Sequence, residues 1–144
     1  MSALSVTAAN VLAGANAKKK TGIAGATITA GQALYEDASD SYKLKLADAD
    51  LSAAASNVVG IALHGASSGQ PITYDYEDDD FTPGATLSLS AAGDTGVYVL
   101  DGTAGGICPF DDLAAGDYPV ILMVAKSTTK AVLKITRAGT VLAS

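Results

Sequence analysis

The sequence predicts an all-β chain, folded as a small barrel or sandwich of short antiparallel strands. Three observations predict it. The first is a repeated phrase in which an apolar residue, two small or polar residues and a glycine lead back to apolar residues. It reads Ile28-Thr29-Ala30-Gly31-Gln32-Ala33-Leu34 and Phe81-Thr82-Pro83-Gly84-Ala85-Thr86-Leu87, with looser copies around Gly69 and Gly116. Glycine supplies the positive-φ corner of a tight turn, and the flanking apolar residues return to a core. The second is a series of short apolar or alternating runs at regular spacing, separated by turn residues. The third is a light composition: with no Trp and two Phe in 144 residues, the core must be built from Ala, Val, Leu and Ile. At roughly 25 cal/mol per Å² of buried apolar area, such a core leaves thin stability for an isolated monomer and favours help from neighbouring subunits.

Residues 1–20 are rich in Ala, Asn, Ser and Lys, with Leu4, Val6, Val11 and Leu12 as their apolar anchors. They read as a flexible arm ahead of one β-rich domain, residues 21–144. Either the arm frays, as termini do, or it orders on a partner by adding a strand to an exposed sheet edge. On the second reading the partner contacts are Val6, Val11, Leu12 and the basic run Lys18, Lys19 and Lys20.

From Thr21 the pattern is extended. Ala26-Thr27-Ile28 leads through Gly31 into Ala33-Leu34-Tyr35, and a polar turn follows at residues 36–41. Tyr42-Lys43-Leu44-Lys45-Leu46 alternates, with Tyr42, Leu44 and Leu46 on one face. Residues 47–57 are rich in Ala and Asp, and Asp50 or Ser52 is placed to cap one short helix near 50–57, through Ala53-Ala54-Ala55. Val58-Val59-Gly60-Ile61-Ala62-Leu63 reads as a buried strand. Further strands are expected at residues 72–76, 87–90 and 97–100, with a turn at Ala92-Gly93-Asp94. Residues 118–125 and 131–136 form the clearest hairpin, closed by a Lys-Ser-Thr-Thr-Lys turn.

The candidate chemistry is sparse. The acidic run Asp75, Glu77, Asp78, Asp79 and Asp80 lacks the Asp-x-Asp-x-Asp-Gly register of a calcium loop. It reads as a solvated, outward-facing segment. His64, the single histidine, has no nucleophile motif to serve and reads as a turn residue. Cys108, the single cysteine, has no nearby cation and reads as a packed, inert thiol. Gly102-Thr103-Ala104-Gly105-Gly106 is followed by Ile107-Cys108-Pro109 rather than a phosphate-binding helix, so it reads as a plain loop. Tyr35, Tyr42, Tyr74 and Tyr76 suit an aromatic stacking platform, but their spacing equally suits strand residues filling a core or subunit interface.

A net charge of −6 disfavours nucleic acid as a partner. No apolar run approaches the ~20 residues that span a bilayer, and the start of the chain lacks the pattern of a secretory leader. The stretch Val59-Gly60-Ile61-Ala62-Leu63-His64-Gly65-Ala66-Ser67-Ser68-Gly69-Gln70-Pro71-Ile72-Thr73 resembles a phrase of the capsid decoration (cement) proteins of tailed bacteriophages. Residues 24–34 and 81–87 are similar in style to the same family, and the resemblance extends loosely over residues 21–136. It implies a β-rich, non-enzymatic structural protein without cofactors, often a homotrimer. Such a protein sits on the outer surface of the virion capsid, bridges subunits of the major capsid protein and stabilises the shell. The alternative is a phage fibre or receptor- and glycan-binding module using the tyrosines.

Overall fold

One strand of thirteen residues, Pro71–Pro83, organises the whole molecule. The computed structural model describes residues 4–89 and 96–137. Within them lie β1 (Val11–Leu12), β2 (Lys18–Ile23), β3 (Ala33–Asp37), β4 (Lys43–Leu46) and β5 (Val58–Ala62). After the long strand, β6, come β7 (Val97–Leu100), β8 (Ile107–Pro109), β9 (Val120–Ala125) and β10 (Ala131–Arg137). The all-β expectation holds. The strands form one curled antiparallel sheet in the order β4-β3-β5-β6-β10-β9-β7-β8, with β1 and β2 added on β6.

Strand β6 is long enough to serve two half-sheets. Its early part pairs with β5 through Ile61 opposite Asp75 and Ala62 opposite Tyr74. Its later part pairs with β10 through Ala131 opposite Phe81 and Leu133 opposite Asp78. Register shifts on both flanks of β6 mark bulges, which bend the strand and let it pass from one half-sheet to the other. A parallel bridge between Ala24 and Leu44, with the Gly25 amide on the Leu44 carbonyl at 2.8 Å, brings the end of β2 against β4. The half-sheet of β4, β3, β5, β6 and β2 thus curls back toward its own edge.

Two cores result. The larger packs Phe81, Tyr98, Leu100, Leu122, Met123 and Leu133 between the half-sheets. The smaller holds Ile28, Leu34, Leu44, Ile72 and Tyr74 inside the curled half. Alanines fill much of both, as the composition required. Gly60 is needed because the Tyr74 ring and the Asp75 carbonyl lie where its Cβ would be.

Each glycine of the repeated phrase takes the left-handed conformation expected of it: Gly31 at φ +91°, Gly69 at +91°, Gly84 at +77° and Gly116 at +95°. Strands β3, β4, β5, β7, β9 and β10 lie where alternation placed them. Residues 87–89 are not a strand, and the turn expected at 92–94 lies outside the described residues, as do residues 138–144.

Two expectations are corrected. The helix near 50–57 is a single turn. The Ser52 hydroxyl does accept from the Ala55 amide at 3.1 Å, and the Ser56 amide reaches the Ser52 carbonyl at 3.1 Å. There it stops. Only Ala55 of the three alanines is buried, and the β-branched Val58-Val59 pair draws the chain into β5. One turn has too little burial to offset the cost of helix nucleation.

The free arm is the second correction. From Leu4 onward the segment is laid along the domain: the Leu4 amide bonds the Ile107 carbonyl and the Thr7 amide bonds the Gly84 carbonyl, both at 2.7 Å. Residues 11–23 then shadow β6 along its length, from Val11 opposite Pro83 to Ile23 opposite Pro71. The physical reason is that β6 has a second flank whose backbone groups need partners. No boundary at residue 20 separates arm from domain.

Candidate interaction surface

The residues singled out for partner contact divide by burial. Val11 is 6% exposed, and Val6 packs half-buried against the larger core. Both are turned inward. Leu12 is 61% exposed, and Ile23 at the other end of the shadowing segment is 44% exposed. Between them Lys18, Lys19 and Lys20 are exposed along β2. Lys18 Nζ meets Glu77 Oε2 at 3.1 Å, and Lys20 Nζ stands 5.3 Å from the centre of the Tyr76 ring. Lys19 lies opposite Asp75 in the register. The basic run therefore has a partner within the chain, the acidic strand β6.

Strand β2 pairs with β6 on one side, and no described residue pairs with the other side of Lys18–Thr21. That outer edge is a row of backbone donors and acceptors open to a further strand. Its lysines give it the opposite charge to the chain as a whole. At exposed positions such charges discourage pairing with a like-charged edge and favour an acidic one.

The acidic run is not the solvated segment expected of it. It forms the middle of β6, where Asp75 is 0% and Asp78 1% exposed. The Asp78 carboxylate accepts the Gly14 amide at 2.7 Å and the Asp80 amide at 3.0 Å, fastening the crossover between β1 and β2. Asp80 binds Lys130 at 3.1 Å and Lys126 at 3.3 Å, both from the turn between β9 and β10. Asp79 is exposed, and the ion-paired side chains of Glu77 and Asp80 stay partly exposed. The run is a cross-link between three neighbouring segments.

Asp75 stands apart. Neither carboxyl oxygen meets a partner in good hydrogen-bond geometry among the described residues, although the Asp78 carboxylate lies beside it. Burial, then the adjacent Asp78, push its pKa up to about 8, against smaller opposing pulls from the Glu77 amide and then Lys19. It is thus held mostly protonated at neutral pH. Burial also works against the charge of Asp78, but the Asp75 carboxyl and the Gly14 and Asp80 amides outweigh it and hold Asp78 below the ordinary range.

The remaining candidates have structural places. His64 Nε2 accepts the Thr73 amide at 3.0 Å, and Nδ1 lies 2.9 Å from the Gly65 carbonyl. An acceptor at Nε2 and a donor at Nδ1 describe a neutral ring that pins the β5–β6 hairpin. The loop 102–106 supports the sheet through its backbone, with the Gly105 amide on the Ala47 carbonyl at 2.6 Å. Tyr74 is 5% exposed and belongs to the smaller core, whereas Tyr42 is 64% exposed. Among the described residues no three His, Cys, Asp or Glu side chains converge as a metal site. No helix among them is long and apolar enough to cross a membrane.

Cys108 is 1% exposed, and burial, reinforced by Asp101, pushes its pKa up to about 12. A water-soluble thiol reagent at pH 8 is expected to leave it untouched in the native protein. Adding denaturant should expose one reactive thiol per chain, read by absorbance. Fast native labelling would show that β8 opens readily.

Comparison with protein-family models, with curated proteins and with solved structures finds no match to this chain.

Proposed function

We propose that this chain is a non-enzymatic structural protein that decorates and stabilises the capsid of a tailed phage by bridging subunits of the major capsid protein. It acts as a homotrimer on the outer surface of the virion. The observation that carries the reading is the open, lysine-bearing edge of β2, flanked by exposed Leu12 and Ile23.

An extended acidic segment of a capsid subunit would add to this edge as one more strand. Main-chain bonds supply affinity, lysines select charge, and Leu12 and Ile23 anchor the ends. Each contact is weak, but a capsid repeats it many times, and a trimer engages three at once. Residues 11–23 complete this chain's own sheet along β6 and leave their far side to the partner strand. As for the alternative, a fibre or receptor- and glycan-binding module stacking ligands on Tyr35, Tyr42, Tyr74 and Tyr76, burial of Tyr74 in the smaller core removes one of the four.

The test is co-sedimentation with expanded, undecorated heads of the phage that encodes the chain. Saturable binding is expected, weakened by salt. A variant carrying Leu12→Ser, Lys19→Glu and Ile23→Ser, all exposed positions, should bind at least about tenfold more weakly. No binding by the native chain would overturn the decoration reading. Equal binding by the variant would keep decoration and discard the edge.

A further inference from the structure

The turn between β3 and β4 holds two consecutive non-glycine residues in the left-handed region, Ser41 at φ +57° and Tyr42 at φ +59°. An L residue is disfavoured there, most of all a bulky one. The surrounding contacts enforce it. The Asp37 carbonyl accepts the Tyr42 amide at 2.8 Å, and Asp37 Oδ1 accepts the Ser39 amide at 3.0 Å and hydroxyl at 2.6 Å. Lys45 Nζ locks the turn from below, 2.7 Å from Asp37 and 3.1 Å from Asp40. What this over-determined turn displays is a tyrosine with 64% of its surface exposed. A glycine would fit the backbone better and display nothing.

Tyr42 stands on the rim of a groove of about 450 Å³ that also takes in Tyr35, Asn57, Glu36 and Val59. Glu36 and Val59 line a second concavity of about 420 Å³ as well, which reaches Tyr76 with Lys20 over its ring. The two form one trough with tyrosines toward both ends. Along it the Glu36 carboxylate and the Asn57 side-chain amide are exposed and hydrogen-bond to no described residue.

We propose that this trough binds a short neutral oligosaccharide. A pyranose ring has an apolar C–H face suited to a tyrosine ring, and a rim of hydroxyls suited to the carboxylate and amide. Asp37 and Asp40 are matched by lysines, and Glu36 shares the trough with the single cation Lys20, so no excess of positive charge selects sialylated, sulfated or phosphorylated ligands over neutral ones. A proline-rich peptide would also stack on tyrosines. It offers too few hydroxyl or amide groups for Glu36 and Asn57, and sugar is therefore the better fit. This site meets the β2 edge only at Lys20 and Thr21 and stands whether or not the chain decorates a capsid.

The experiment is a glycan array carrying neutral, sialylated and sulfated arms, followed by NMR titration of the intact chain with the best neutral glycan and with a proline-rich peptide. Neutral glycans are expected to bind in roughly the millimolar range, where a few stacked and hydrogen-bonded groups place a ligand. Tyr42→Gly relieves the left-handed strain, so its melting temperature should not fall, yet its affinity should drop at least about tenfold. Tyr42→Phe should retain most of the binding. Absence of neutral-glycan binding, preference for anionic glycans or for the peptide, or unchanged affinity in Tyr42→Gly would each overturn the proposal.

Discussion

Replacing Asp75 with asparagine is expected to stabilise the protein at pH 8 and to flatten its stability profile between pH 5 and 8. The buried carboxyl takes up its proton at about pH 8 in the folded state, whereas an unfolded aspartate does so near pH 4. Between those values the folded chain holds a proton that the unfolded chain has released. Stability therefore falls as pH rises through that window and levels off above it. About four pH units at 1.36 kcal/mol each bound the effect at on the order of 5 kcal/mol.

Other carboxylates act in the opposite sense. Asp37 is held at about 2, first by Lys45 and then by Ser39, and Asp80 is lowered first by Lys130. The Asp37 contribution is present above pH 4 and lost as the pH falls toward 2, and those of Asp80 and Asp78, both also lowered, are lost in the same direction as the pH falls. Maximum stability should accordingly lie near pH 4 to 5. Asparagine keeps the shape of Asp75, cannot ionise, and can donate to the Asp78 carboxylate. Thermal melts of both proteins from pH 4 to 9 make the check. A native profile that rises toward pH 8, or a parallel decline in Asp75→Asn, would show that Asp75 is ionised and solvated in the fold.

The same residue shows where sequence reading reaches its limit. Strands β4, β5, β9 and β10 were legible because local patterns of apolar residues mark them: Leu44 and Leu46 alternate with lysines, and the 120–125 run is almost wholly apolar. Strand β6 was cut short at Tyr76 because five acids in six positions imitate a solvated segment. Their placement depends on groups 46 to 64 residues away in one direction or the other, Gly14, Lys126 and Lys130. A local window holds none of these. Lys18–Lys20 misled for the same reason: a basic run beside no acids invites an external partner, when Glu77 and the Tyr76 ring lie across β6. Of the candidate contacts, Leu12 and the lysines face outward, whereas Val6 and Val11 face the core. Apolar type alone does not distinguish an interface residue from a core one.

Four left-handed glycines of similar sequence context are expected to tolerate alanine very unequally. At Gly69 and Gly116 a Cβ would meet nothing within 4 Å. There alanine should cost only the left-handed penalty of about 1–2 kcal/mol. At Gly84 the added carbon would lie 2.6 Å from the Thr7 carbonyl oxygen and 3.0 Å from Val11 Cγ2. At Gly31 it would lie 2.6 Å from Val6 Cγ1 and 3.1 Å from Val11 Cγ2. The two clearest copies of the phrase thus form the seat on which residues 6–11 rest. Backbone cannot yield as a side-chain tip can, so Gly84→Ala should break the bond from the Thr7 amide to the Gly84 carbonyl and push Val11 out of the core. Adding a lost bond and lost burial to the conformational penalty gives at least about 3 kcal/mol, or a fall in melting temperature of about 10 °C. Gly31→Ala should come next, since Val6 is only half-buried and can move aside. Amide hydrogen exchange separates local from global effects: in Gly84→Ala protection should fall first over residues 4–12, while β9 and β10 keep theirs. Equal losses at Gly69 and Gly84 would mean that the turns carry the penalty alone, and that the amino-terminal segment contributes little to the stability of the sheet.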